Sequence, residues 1–317
     1  MRILKKISLF LLVVIIIMAG LFIAPYPKYS KDNLFLDKDV LVIAHGGGRG
    51  VFPGNTFSAF EYSYNLGVDV LELDVHLTID NILVTRHGEN ETGNIKAMSN
   101  CDTVIWDETY EYLYDNCNFG FNFEDETGEY PYRDLTHEEW VLQGVYMTKL
   151  EELFEAFGDS ILYTIEIKAD ADAPRNESAD ELYRLIDKYD LFDVVLAATA
   201  FEDISEYITS TYPKMAISTS HAEAQKFIIG AYSFTSIFYK PNGYAALQIP
   251  TEFNLPVIGD LNLSTKLLIN AAHKHNMAVH YWTINDPDEM RRLIELGCDG
   301  IITDYPEVLM DILEEYN

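Results

Sequence analysis

The chain has 317 residues, 48% of them hydrophobic, enough for one barrel-sized domain or two ordinary ones. Its 51 acids against 22 bases give a formal charge of −29, which argues against nucleic acid as a partner, because phosphate backbones are bound through Lys and Arg. Cys101, Cys117 and Cys298 include no Cys-x-x-Cys pair, so neither a zinc site nor a disulfide framework is implied, and a Cys101–Cys117 bridge stays open.

In chain order, Arg2, Lys5 and Lys6 precede an almost unbroken apolar run over residues 7–24. That is about the length that crosses a hydrocarbon core, and no clear small-x-small cleavage site ends it. Residues 1–25 are therefore expected to be an N-terminal transmembrane anchor, or else a cleaved signal helix. Either way the basic flank stays in the cytoplasm and the rest of the protein lies outside. The expected location is the cell membrane, single-pass with residues 40–317 extracytoplasmic, or secretion if the segment is removed. Residues 26–39 read as a short linker.

From residue 40 on, short β-branched runs alternate with helical patterns. Strands are expected at 40–44, 68–75, 163–168, 194–199, 215–219, 245–249, 278–282 and 300–303. Helices are expected between most of them, for example at 55–66, 179–189, 264–275 and 287–296. Eight strands alternating with helices predict an α/β protein, a TIM (β/α)8 barrel, with a doubly wound sheet as the alternative. Residues 94–146 break the rhythm. Within them, 101–140 holds twelve acids against the single base Arg133, together with many aromatics such as Trp106, Phe119 and Tyr130. This reads as an inserted cap over one end of the barrel. Its rings and carboxylates either attract a cationic head group or form the cap's own core and surface.

Chemistry in barrels sits at the carboxyl ends of the strands. The first strand ends in IAHGGGRG, residues 43–50. The chain has no Gly-x-Ser-x-Gly elbow and no nucleotide-binding glycine pattern, so these glycines serve neither an esterase nor a nucleotide loop. In the second strand Glu72, Asp74 and His76 share one face, as residues two apart do. Polar groups on one face of an apolar strand are costly unless they bind something. Glu166 and Lys168 follow in the same phase on the third strand. Glu72, Asp74 and Glu166 can converge on one hard divalent cation, Mg2+ or Ca2+, with a salt-bridge cluster through Lys168 as the alternative. His45 and His87 flank this group and suit an acid–base pair.

These motifs resemble the glycerophosphodiester phosphodiesterase family. The family's opening His and its Pro-Glu-Asn-Thr are matched by His45 and by Pro53, Gly54, Asn55 and Thr56. Its Glu-x-Asp stretch and second His are matched by Glu72, Asp74, Thr78, Asp80 and His87, and its Glu-x-Lys by Glu166 and Lys168. Residues 281–285 and 300–306 look like its closing strands. The resemblance implies metal-dependent hydrolysis of a glycerophosphodiester to glycerol 3-phosphate and an alcohol. It implies Glu72, Asp74 and Glu166 as metal ligands, His45 and His87 as base and acid, and Lys168 and Trp282 on the substrate. Rival readings are a lysophospholipase D acting on a lysophospholipid, and a catalytically weak binding module. No protein partner is implied. Three family positions differ: Gly46 stands for an arginine, Gly54 for a glutamate and Gly88 for an aspartate. Arg49, or the amides of residues 46–48, are candidates to replace the lost guanidinium.

Overall fold

The computed structural model describes residues 12, 25–36, 39–88, 92–168, 173–255 and 259–316. The expected N-terminal span lies outside these residues except for Leu12. Among the described residues no helix is long and apolar enough to cross a membrane.

Strands β1 (Leu41–Ala44) and β2 (Val70–Leu77) pair in parallel; β3 (Leu83–Thr85) folds back antiparallel on β2. They are followed by β4 (Leu162–Ile167), β5 (Val195–Ala198), β6 (Ala216–Ser218) and β7 (Tyr244–Ile249). A hairpin of β8 (Glu252–Leu255) and β9 (Gly259–Asn262) comes next, then β10 (Ala278–Tyr281) and β11 (Gly300–Thr303). The parallel order β1-β2-β4-β5-β6-β7-β10-β11 closes on itself through the β1–β11 pair, making an eight-stranded barrel. Each ring strand leads into an outer helix, and several helices start where the sequence supplies an acceptor. Thr265 accepts from the Leu268 amide, and Asp286, just before Pro287, accepts from Glu289.

The period of two decides inside from outside. Leu71, Leu73, Val75, Tyr163, Ile165 and Ile167 point outward into the layer between strands and helices. The alternate residues point inward. At the amino ends the inner layer is apolar, with Ile43, Val70, Leu196 and Ile302. Higher up it turns polar, with Thr164, Gln248 and buried His280, and at the carboxyl ends it becomes the charged cluster described below.

One feature differs from the sequence expectation, and a second settles a point the sequence left open. The segment expected as a linker seals the bottom of the barrel. Phe35 is 2% exposed, its carbonyl meets the His280 Nε2, and Asn33 Nδ2 donates to Ala245 and Asn276 carbonyls. An eight-stranded barrel leaves an apolar lower end, and these side chains cover it. The second feature is in the insertion, where Cys101 and Cys117 form a disulfide. Cys117, Ile95, Ile105, Leu113 and Phe119 build a small core on Val84 and Met147.

Candidate active site

Strand pairing assembles the site. In the β2–β4 register Asp74 lies opposite Glu166 and Glu72 opposite Thr164, so the inward carboxylates of neighbouring strands meet. One oxygen from each of Glu72, Asp74 and Glu166 lies within 4.8 Å of the others. Lys168 Nζ stands 3.1 Å from Glu166 and 3.5 Å from Asp74. Three carboxylates face one ammonium in a region where Glu72 and Asp74 are almost wholly buried. Burial and the neighbouring Asp74 charge push Glu72 well above the usual carboxylate range. Asp74 goes the other way: Lys168 and the two site histidines overcome its burial and hold it low. Negative charge in excess of the protein's own cations is what a hard divalent ion, bound through oxygen, would neutralise, so the donor set fits one.

The glycine run is the hinge of the β1 loop. Gly46, Gly47 and Gly48 have φ of 54°, 75° and 89°, the left-handed region. At Gly47 a Cβ would also sit 2.8–2.9 Å from Ala59 and Phe60. This turn holds His45 inward. Its Nδ1 is 2.7 Å from Asp304 Oδ1, and its Nε2 is 4.0 Å from Glu72. Burial opposes the imidazolium, but the Glu72 charge and the Asp304 hydrogen bond outweigh it and raise the His45 pKa. His87 follows β3. Its Nδ1 meets the Gly88 carbonyl at 2.7 Å, and the ring lines the cavity. Thr78 and Asp80, which match the family pattern, bond to each other at 2.6 Å in the β2–β3 turn and shape the hairpin.

All eight expected residues line one cavity of about 340 Å³: His45, Arg49, Glu72, Asp74, His87, Glu166, Lys168 and Trp282. Trp282 stands 39% exposed at the end of β10. The Gly46 amide is engaged by Glu72 Oε2 at 2.8 Å, and the Gly48 amide by the His45 carbonyl. Arg49 alone of the proposed substitutes brings a guanidinium to the cavity, tied to Asp304 at 2.7 Å. Gly54 makes room for it, since a Cβ there would lie 2.5 Å from Arg49 Cβ.

Sequence reasoning missed Asp304 and Asn285. Asn285 Nδ2 donates to Asp304 Oδ2 at 2.8 Å and its Oδ1 accepts from the Asp304 amide. A signal was present: β1 and β11 pair with Ala44 opposite Thr303, so the residues one step beyond, His45 and Asp304, emerge side by side.

Residues 45–308 match the glycerophosphoryl diester phosphodiesterase family. A glycerophosphodiester phosphodiesterase of Bacillus altitudinis is 26% identical over 277 residues, 86% of this chain and 98% of that one. Human lysophospholipase D GDPD1 is 25% identical over 309 residues, 90% and 89% of the two chains. Among solved structures, a glycerophosphoryl diester phosphodiesterase domain from Mycobacterium tuberculosis shares the fold with TM-score 0.70 at 14% identity, covering 87% of this chain and 99% of that one. An Oleispira antarctica phosphodiesterase, solved with the product sn-glycerol-3-phosphate, gives TM-score 0.65 at 18% identity, covering 88% and 98%. The class that fold and site define is a phosphoric diester hydrolase. Within it, the chain belongs to the glycerophosphoryl diester phosphodiesterase family.

Proposed function

We propose that the protein hydrolyses glycerophosphodiesters to glycerol 3-phosphate and an alcohol, with His45 as base and His87 as acid. The observation that carries this is two imidazoles in one cavity with a buried cluster of three carboxylates and a lysine. Glu72, Asp74 and Glu166 would hold Mg2+ or Ca2+, which when bound supplies charge neutralisation at the phosphoryl oxygens. Lys168 and Arg49 carry the remaining positive charge to the phosphate. His45, backed by Asp304, takes the proton of the attacking water. The bond from phosphorus to the leaving oxygen breaks, and His87 Nε2 gives that oxygen a proton. Trp282 borders the cavity as an apolar wall for the substrate's carbon skeleton.

A lysophospholipid substrate is the second reading, favoured by the human lysophospholipase D relatives. With either substrate, we propose that the protein works outside the cytoplasm, held by residues 7–24. The support for this placement is the basic flank of that run and the Cys101–Cys117 disulfide, a bond at home in oxidising compartments. The test is a panel of soluble diesters and lysophospholipids run with Mg2+, Ca2+ and EDTA. Glycerol 3-phosphate should appear from the soluble diesters only with a divalent ion. No release with any ion would overturn the proposal.

A further inference from the structure

A second cavity of about 240 Å³ lies beneath the cap and shares Arg49 and His87 with the first. Its remaining wall includes Arg86, Phe119, Asn122, Phe123 and Ala97. Arg86 is 5% exposed, an unusual burial for a cation. Its Nη1 donates to the Gly54 carbonyl at 2.8 Å, and the guanidinium lies 4.9 Å from the centre of the Phe119 ring. Among the described residues no carboxylate lies within ion-pair distance of it, whereas Arg49 is already matched by Asp304. Among the described residues, none that line this cavity is acidic. The cap's acids therefore do not form this wall. Several of its rings already hold protein cations: Phe119 holds Arg86, Tyr110 holds Lys149, and Tyr130 holds Arg133. Among the described residues, a cationic head group would meet Arg86 and Arg49 here and no carboxylate.

The position of His87 gives the cavity its role. With His87 protonating the departing oxygen, the alcohol leaves on the His87 side, where the second cavity begins. We propose that this cavity receives the leaving alcohol, and that Arg86 selects alcohols bearing a second anionic group, a phosphate or a carboxylate. A planar guanidinium held on an aromatic face suits such a group, because charge-assisted bonds strengthen where water is excluded. The inference rests on the phosphodiesterase reading above.

Four substrates test it: glycerophosphoglycerol, the same diester with a terminal phosphate on the leaving glycerol, its glycerate counterpart, and glycerophosphocholine. In the wild-type protein the terminal phosphate should raise kcat/KM about tenfold or more over glycerophosphoglycerol, the effect of one charge-assisted bond, with choline lowest. The glycerate arm tells a general anion site from one fitted to phosphate. In Arg86→Met the ratio of phosphorylated to plain diester should fall towards one. Ala97 is exposed on the same wall, so Ala97→Asp tolerates folding and should lower the ratio by adding an opposing charge. Equal use of plain and phosphorylated diesters by the wild type, or a ratio unmoved in both variants, overturns the subsite while leaving the phosphodiesterase reading intact. Failure to cleave any of the four would take down both.

Discussion

His45 Nδ1 and Asp304 Oδ1 lie 2.7 Å apart although 259 residues separate them in the chain. A carboxylate there fixes the imidazole tautomer and favours its charged form, which is how a base is oriented for proton abstraction. Asp304→Asn should reduce kcat by about 10²-fold or more, within the usual worth of an acid–base group. It should also move the acid limb of the kcat/KM profile to lower pH, because the bond that raises the His45 pKa is weakened. An unmoved limb with a lowered rate would reduce Asp304 to a structural part.

The carboxylate cluster predicts metal dependence with a particular pH course. Asp74→Asn should abolish activity, and EDTA should do so reversibly. In the metal-free protein the Glu72 pKa is raised from 4.5 to about 7. A raised acid favours its protonated form, so the cost to stability is absent below the unfolded value, grows as pH rises from that value towards the folded one, and levels off above it. The gain in Tm on adding Mg2+ or Ca2+ should therefore increase between about pH 5 and pH 8. A gain independent of pH, or full activity in excess EDTA, would end this account.

If His87 serves the leaving group, the variants should separate by substrate. His87→Ala and His45→Ala should each lower kcat by roughly 10²–10⁴ on a natural diester. A p-nitrophenyl ester, whose leaving group needs no proton, should partly restore His87→Ala alone. Equal losses on both substrates would remove the assignment.

Gly46→Arg restores the family's residue and should nevertheless do damage. Position 46 has φ of 54°, and its Cβ would come 3.2 Å from Asn55 Nδ2, which itself holds Asp74 at 2.9 Å. Activity and Tm should both fall. An unchanged or lower KM with Tm intact would show that the loop accepts a side chain.

The disulfide closes 16 residues of the cap. Replacing Cys101 and Cys117 by serine should cost up to about 3 kcal/mol of stability on chain-entropy grounds. The loss should appear as faster hydrogen exchange in the cap, while the barrel strands keep their protection. Uniform loss across the barrel would mean that the cap and barrel unfold as one.

The barrel was legible because its strands alternate apolar and polar residues in phase, and that alternation sets which side chains meet. Glu72, Asp74, Glu166 and Lys168 declared themselves as charges where a core strand has no other use for them. Asp304 did not, since an aspartate just past a strand is ordinary in a chain with 51 acids. Only the β1–β11 register makes it the neighbour of His45. The role of residues 29–35 was hidden for a similar reason: Asn33 bonds to Ala245, 212 positions away. Local pattern says nothing of such a contact. The Cys101–Cys117 pairing likewise depends on cap folding that no periodicity announces.

The seal at the bottom of the barrel sets a direction. Tyr29 is already bonded to the His275 carbonyl a few residues after the apolar run ends, so the chain enters the domain at its base with little slack. Phe234 and Phe238, 62% and 70% exposed, lie on the loop before β7, at the same end. If residues 7–24 cross a bilayer, the base is the foot of a short post and the catalytic mouth looks outward, one barrel length above the lipid. A lysophospholipid of the same leaflet would have to quit the membrane entirely to reach His45 and His87. A water-borne diester, or the free end of a charged polymer rising from the surface, would arrive at the mouth unaided. Membrane tethering here would set the height at which the enzyme works rather than bring it to a lipid.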